Sequence, residues 1–230
     1  MRAVLALAVV ILVFVTGCAT RDKRVAVKKE EPVLCAFLGD ACELLKPAAQ
    51  SEAGLRYVNP KVNFTRYNKV MVDVVGFFGS DVAKVPPRDQ QALIDLFHKT
   101  LTEQLAKRYQ IVDQPGPGVA RVQVTLLDAE AATARARSIS VVIAQKRVPA
   151  AGASLVTGRY PFAGGAQAVA KLTDSVSGQL LGAAVDRRAG GGAVQRAGQW
   201  QWGDAENAIK AWSEIMVGGL YSYTSGARKP

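Results

Sequence analysis

The sequence predicts an α+β body: a mixed or antiparallel sheet of about four to six strands with two amphipathic helices packed on one face. Three observations predict it. β-Branched and aromatic runs near residues 69–78, 119–127, 166–173 and 179–187 read as strands. Two stretches, from Pro87 to about Arg108 and from Ala205 to Val217, carry apolar residues at helical spacing. The order strand, helix, strand, strand, insertion, strand, strand, helix is that of an α+β domain.

The chain opens with Met1-Arg2, a positive start, and an unbroken apolar run from Ala3 to Val15. A bilayer-spanning helix needs roughly 20 such residues, so residues 1–17 read as a signal peptide. The run ends in Val15-Thr16-Gly17-Cys18. This stretch resembles the lipobox of bacterial lipoprotein precursors, in which a hydrophobic residue and two small residues precede Cys. The resemblance implies cleavage before Cys18 and lipid on its sulfur and new amine. The alternative is an ordinary signal peptide with Cys18 incidental, or an uncleaved anchor. One acyl chain holds only marginally. Lipoproteins of this type carry more than one, which implies stable anchoring. Ala19, not Asp, follows Cys18. In the Gram-negative sorting pattern that this resembles, Ala there favours the outer membrane, with the body facing the periplasm.

From Cys18 to Pro230 there is enough chain for one domain with a real core. The expected division is a lipidated tether at 18–33, a single domain at 34–220 with an insertion at about 129–164, and a tail at 221–230. The net charge is +10. Without Arg2, 28 basic residues stand against 19 acidic ones, about +9, which favours anionic neighbours such as lipid phosphates and acidic glycans. Solubility is the other use of such charge, and nucleic acid is not an expected partner of an exported chain. With Cys18 assigned to lipid, Cys35 and Cys42 remain, spaced Cys-x6-Cys. An oxidising periplasm permits a short disulfide loop here; two small buried thiols are the alternative. Two Cys do not make a structural zinc site, and no metal or cofactor is expected.

Along the chain, residues 19–33 are charged and lack apolar periodicity, so they read as linker. Phe37, Leu38, Leu44 and Leu45 form a short apolar clamp. Leu55 to Val58 is a lead-in strand closed by an Asn59-Pro60 turn. Lys69 to Phe78 reads as one central strand buried on both faces, with Asp73 at an edge or bonded to backbone. Pro87 and Asp89 suit the first turn of the next helix. Its stripe includes Leu93, Phe97, Leu101 and Leu105, with His98, the only histidine, at the shoulder. Tyr109 to Val112 is a short strand, and Val119 to Leu127 alternates as a strand with one wet face. Residues 129–164 are a basic excursion carrying Arg135, Arg137, Lys146, Arg147 and Arg159, the candidate binding surface. Asp174 to Gly178 is a hairpin turn between two strands. Asp204 is placed as the cap of the last helix, with a fraying tail after Leu220.

Several passages together resemble bacterial lipoproteins grouped as domain of unknown function 3313. They are Phe37-Leu38 with Leu44, Arg56-Tyr57-Val58-Asn59-Pro60 with Tyr67, Val70-Met71-Val72-Asp73, Tyr109 to Gly116, Asp174 to Arg188, and the helix around Trp212. The aromatic usual after Asp40 is replaced by Ala41-Cys42. The resemblance implies an envelope location and a single domain, and brings no catalytic residues.

The expected function is therefore a non-enzymatic binding or assembly module of the envelope, its partner another envelope protein or an anionic envelope polymer. The alternative is a hydrolase or transferase acting on envelope lipid or glycan. That would need two of Asp73, His98, Asp128 and Asp186 to converge in one pocket.

Overall fold

The computed structural model describes residues 23–27, 32–49, 52–78, 85–130, 165–189 and 202–230. In chain order the first half holds β1 (Lys23–Val25), α1 (Pro32–Leu38), α2 (Ala41–Leu44), β2 (Lys46–Pro47) and β3 (Leu55–Val58). There follow β4 (Lys69–Val72), β5 (Gly76–Phe77), α3 (Pro87–Ala106) and β6 (Gln110–Ile111). The second half holds β7 (Val119–Glu130), β8 (Gly165–Asp174), β9 (Leu180–Ala189) and α4 (Gly203–Thr224).

The nine strands form one mixed sheet in the order β2-β3-β9-β8-β7-β4-β6. β1 extends the β3 side of β9, and β5 pairs with β7 beyond β4. The three long strands β7, β8 and β9 are antiparallel and form the centre. β4 and β5 run parallel to β7, and β6 runs parallel to β4, with α3 joining β5 to β6. The nine strands among the described residues exceed the expected four to six because β1, β2, β5 and β6 have two or three residues each. Elements that short show no period in sequence.

Both main helices lie on one face. α3 buries Leu93, Phe97, Leu101 and Leu105, one residue every four, against Val70, Ala120, Val122 and Leu126. Burial of each such side chain stabilises the fold by about 2 kcal/mol. α4 adds Ala205, Ile209, Trp212, Val217 and Leu220, and Trp212 stacks on Phe97 at 5.9 Å between ring centres. The opposite face is also covered. α1 supplies Leu34 and Leu38, and Leu45 follows α2 directly; together they lie over Leu127, Val169, Ala183 and Val185. Cys35 and Cys42 are joined there, with 2.00 Å between sulfurs and 5.2 Å between Cα atoms.

Four expectations are corrected. The run from Lys69 to Phe78 is not one doubly buried strand. It breaks between β4 and β5, where Val74 is 87 % exposed, and Phe78 beyond it is 57 % exposed. The break follows Asp73, whose backbone N–H still bonds the Val122 carbonyl while its side chain turns to Arg121. β7 runs on through 128–130 instead of leading away there, and Thr125 and Leu127 are buried, so only its first half has a wet face. Lys23–Val25, expected in the linker, pairs with Arg187–Ala189. Finally, α4 continues to Thr224 and Asp204 lies inside its first turn, after Trp202. Gly218-Gly219 weakens a helix by about 1 kcal/mol per residue. Leu220 and Tyr223 extend the buried stripe and hold it, with Tyr223 against Phe64 at 5.3 Å.

The β8–β9 hairpin follows the expected pattern. Gly178 sits at φ +72°, a left-handed position that favours glycine. Asp174 accepts from the Ser177 and Val176 amides, the Ser177 hydroxyl and the Tyr67 hydroxyl. These bonds, that to the Ser177 amide foremost, lower the Asp174 carboxyl to about 2 despite burial. The same carboxylate, together with burial, pushes the Tyr67 hydroxyl up to about 12, burial being the larger cause.

Candidate binding cavity between the last helix and the sheet

Small residues create a gap in the helix face. On the sheet, Ala168 and Ala170 of β8 and Gly182 and Ala184 of β9 form a floor with little side-chain volume. In the roof, α4 contributes Met216 and Ile215 but then Gly218-Gly219, whose added Cβ atoms would meet nothing within 4 Å. Leu181 fits this side by a bulge: it is the extra residue between the pairs Leu172↔Gly182 and Thr173↔Leu180. The result is a partly open apolar cavity of about 440 Å³. That volume lies within the roughly 300–1,000 Å³ usual for small-molecule sites.

Charge marks the cavity's opening on the β3 side. The Glu52 carboxylate accepts from Arg56 at 2.8 Å and from Arg228 at 2.5 Å. Burial works to raise the Glu52 carboxyl, but the hydrogen bonds and charges of the two arginines outweigh it and the net shift is downward. Arg228 also lies over the Tyr223 ring. Behind the opening, Arg24 of β1 donates to the Ala49 carbonyl at 2.7 Å and the Ala53 carbonyl at 3.2 Å. Ala53 and Glu52 both line the cavity.

Asp186 lies at this same end, beside Gly54. It is 3 % exposed, and its Oδ2 accepts from Trp212 Nε1 and Arg188 Nε, each at 2.9 Å. Its Oδ1 has no hydrogen-bond partner among the described residues. Burial raises its carboxyl above the ordinary Asp range, against the opposing pull of Arg188 and Trp212. The Gly54 amide gives a weaker favourable contact that falls short of a hydrogen bond. Gly54 is needed for this approach, since a Cβ there would lie 3.1 Å from Val27 and 3.2 Å from Asp186 Oδ1.

A second, open cleft lies at the β4–β6 edge of the sheet, lined by Asp73, His98, Thr102 and Asp113 among others, with a volume of about 580 Å³. Two of the four candidate reacting residues therefore share a cleft. Asp73, however, is held in a bidentate pair by Arg121, with Nε at 2.9 and 3.0 Å and a further contact at 2.8 Å, and by Gln123 at 3.1 Å. Among the described residues no hydrogen bond joins His98 to it. The Thr102 hydroxyl is buried there without a partner among the described residues.

The pattern of the DUF3313 family, proteins of unknown function, matches residues 36–216. The chain belongs to the DUF3313 family. Among curated proteins none matches it. Solved structures with a similar outline include the PelC dodecamer from Paraburkholderia phytofirmans, at 10 % identity and TM-score 0.36, covering 68 % of this chain and 92 % of that one. A DUF330 protein of Xanthomonas campestris has 11 % identity and TM-score 0.39, with 74 % and 91 % covered. A DUF4136 family protein of Bacteroides thetaiotaomicron has 14 % identity and TM-score 0.37, with 74 % and 95 % covered. No helix among the described residues of this DUF3313 chain is long and apolar enough to cross a membrane.

Of the residues singled out from sequence, Cys18, Arg135, Arg137, Lys146, Arg147 and Arg159 lie outside the described residues, as does the side chain of Asp128. Asp186 is placed at the cavity, and Asp73 and His98 at the open cleft. Sequence reasoning missed the cavity itself. Its signal was present in the small residues that alternate on one face of β8, Ala166, Ala168 and Ala170, opposite a Gly-Gly pair in a helix.

Proposed function

We propose that this DUF3313 protein is a lipid-anchored cell-envelope protein and a non-enzymatic binding or assembly module. Lipid on Cys18 holds it at the outer membrane, with the body facing the periplasm. Its partner is another envelope protein or an anionic envelope polymer, and the excess of basic residues suits the latter. The observation that carries this reading is Val15-Thr16-Gly17-Cys18 at the end of an apolar run too short to span a bilayer. On this reading the pairing of β1 with β9 leaves a short link, since Lys23 follows Cys18 by five residues. The test is metabolic labelling with palmitate and fractionation of cells. The wild type is expected to take up label and sediment with outer membranes, and Cys18→Ser to do neither. Label retained by Cys18→Ser, or absent from the wild type, defeats the proposal.

A second reading has one observation in its favour: Asp73, His98 and Thr102 share a cleft. A hydrolase or transferase built there would act on envelope lipid or glycan, and would require Asp73 to exchange Arg121 for His98. Turnover of such a polymer by the wild type, lost in His98→Ala, would establish it.

A further inference from the structure

We propose that the cavity beneath α4 holds one hydrocarbon chain of an anionic membrane lipid, its head group at Glu52, Arg56 and Arg228. Four observations carry this. First, the space is lined almost wholly by carbon, and its volume of about 440 Å³ is that of a ligand site rather than a packing defect. Apolar surface left facing solvent in a partly open cavity is surface whose burial would stabilise the protein. Water would find few partners inside the cavity. Asp186 borders the space, but one carboxylate oxygen is engaged by Trp212 and Arg188 and the other is closed off from solvent. An apolar occupant would bury that surface, and a polar one would not.

Second, the space is a consequence of residue choice. Gly219, on the inward side of α4, stands where a larger side chain would fit, since a Cβ there meets open space. Third, the opening carries two guanidinium groups against one carboxylate, Arg56 and Arg228 against Glu52. A phosphate or carboxylate head would therefore meet a net positive rim. Fourth, the opening is tied to the anchored end of the chain. Arg24 of β1 grips the Ala49 and Ala53 carbonyls beside Glu52. Lys23 follows Cys18 by five residues, a span of at most ~18 Å. This last point rests on the anchoring reading; the other three do not.

The test is photocrosslinking in living cells with palmitate bearing a diazirine and an alkyne, which cells build into their lipids. The full-length protein is purified after irradiation and its peptides are mapped by mass spectrometry. Light-dependent crosslinks are expected on α4 around Ile215 to Leu220 and on β8 around Ala168 to Leu172. Gly219→Leu and, separately, Ala170→Phe fill the space from roof and floor, and each is expected to lower those crosslinks by about tenfold. Thermal melting of both variants confirms that they fold, Gly219→Leu being the less intrusive. Arg56→Gln with Arg228→Gln is expected to lower the same crosslinks while leaving acylation of Cys18 unchanged. The proposal is overturned if the wild type shows no crosslink to α4 or β8, or if both filled variants, folded, retain wild-type levels. Acylation of Cys18 is read light-independently in the same sample. Its absence defeats the anchoring reading, while the crosslinks alone decide whether the cavity is occupied.

Discussion

The two faces of the sheet are covered by opposite means. On one, α3 and α4 supply long apolar stripes and large rings, yet small residues in floor and roof leave a cavity. On the other, two short helices with a disulfide press Leu34, Leu38 and Leu45 onto Val169, Ala183 and Val185. The helices α1 and α2 have seven and four residues, below the roughly 12–15 at which isolated helices become even marginal. Their cover depends on covalent closure and contact with the sheet. The long helices can hold their own shape, so they can bridge a gap. Space for a ligand is thus found where the cover is self-supporting, and dense packing where it is not.

This contrast can be broken first at Asp186, which holds Trp212 in the roof beside the cavity. Asp186→Ala leaves the Trp212 and Arg188 donors buried without their acceptor and is expected to destabilise the fold by about 4 kcal/mol in urea denaturation. Because burial raises this carboxyl, the folded chain binds its proton more readily than the unfolded one. Its contribution therefore weakens as pH rises from the ordinary Asp value through the raised one. Asp186→Asn should flatten that slope; a slope unchanged in the Asn variant would contradict the assignment.

The next effect belongs to the clamp face. Replacing Cys35 and Cys42 together by Ser frees a short loop and should cost about 2 kcal/mol, read as a lower urea midpoint. The loss should fall on α1 and α2, so amide exchange there should quicken while α4 keeps its protection. Equal loss in α4 would show that the two faces are one cooperative layer.

The smallest effects sharpen the comparison by sign. Ala183→Leu adds volume to the dense face and should cost about 2 kcal/mol. Gly219→Leu adds similar volume to the open face and replaces a helix glycine, so it should gain about 1 kcal/mol. Melting temperatures that move in the same direction would remove the distinction between the faces.

Much of this architecture was legible in the sequence. The stripe Leu93, Phe97, Leu101, Leu105 and the hairpin from Asp174 to Gly178 are local patterns, and both are present in the structure. What the sequence hid depends on partners far along the chain. Val74 looks like the interior of a buried strand until Arg121, 48 residues beyond Asp73, draws that carboxylate aside. Gly218-Gly219 looks like a helix stop until Phe64 supplies a surface for Tyr223. The cavity is hardest to foresee, because it consists of volume that three separate elements leave out. Alanines on β8 and glycines on β9 and α4 are each ordinary alone; only sheet register and helix placement bring them opposite one another.

Strand β1 also determines how the body bears mechanical load. If lipid holds Cys18, every tug between membrane and protein enters at Lys23 and passes along three residues laid antiparallel on β9. A pull along that strand strains its ladder bonds together rather than one after another. Arg24 adds a second grip on the loop before β3. Force is thereby delivered to the middle of the sheet, and α3 and α4, which roof the cavity, lie off its path.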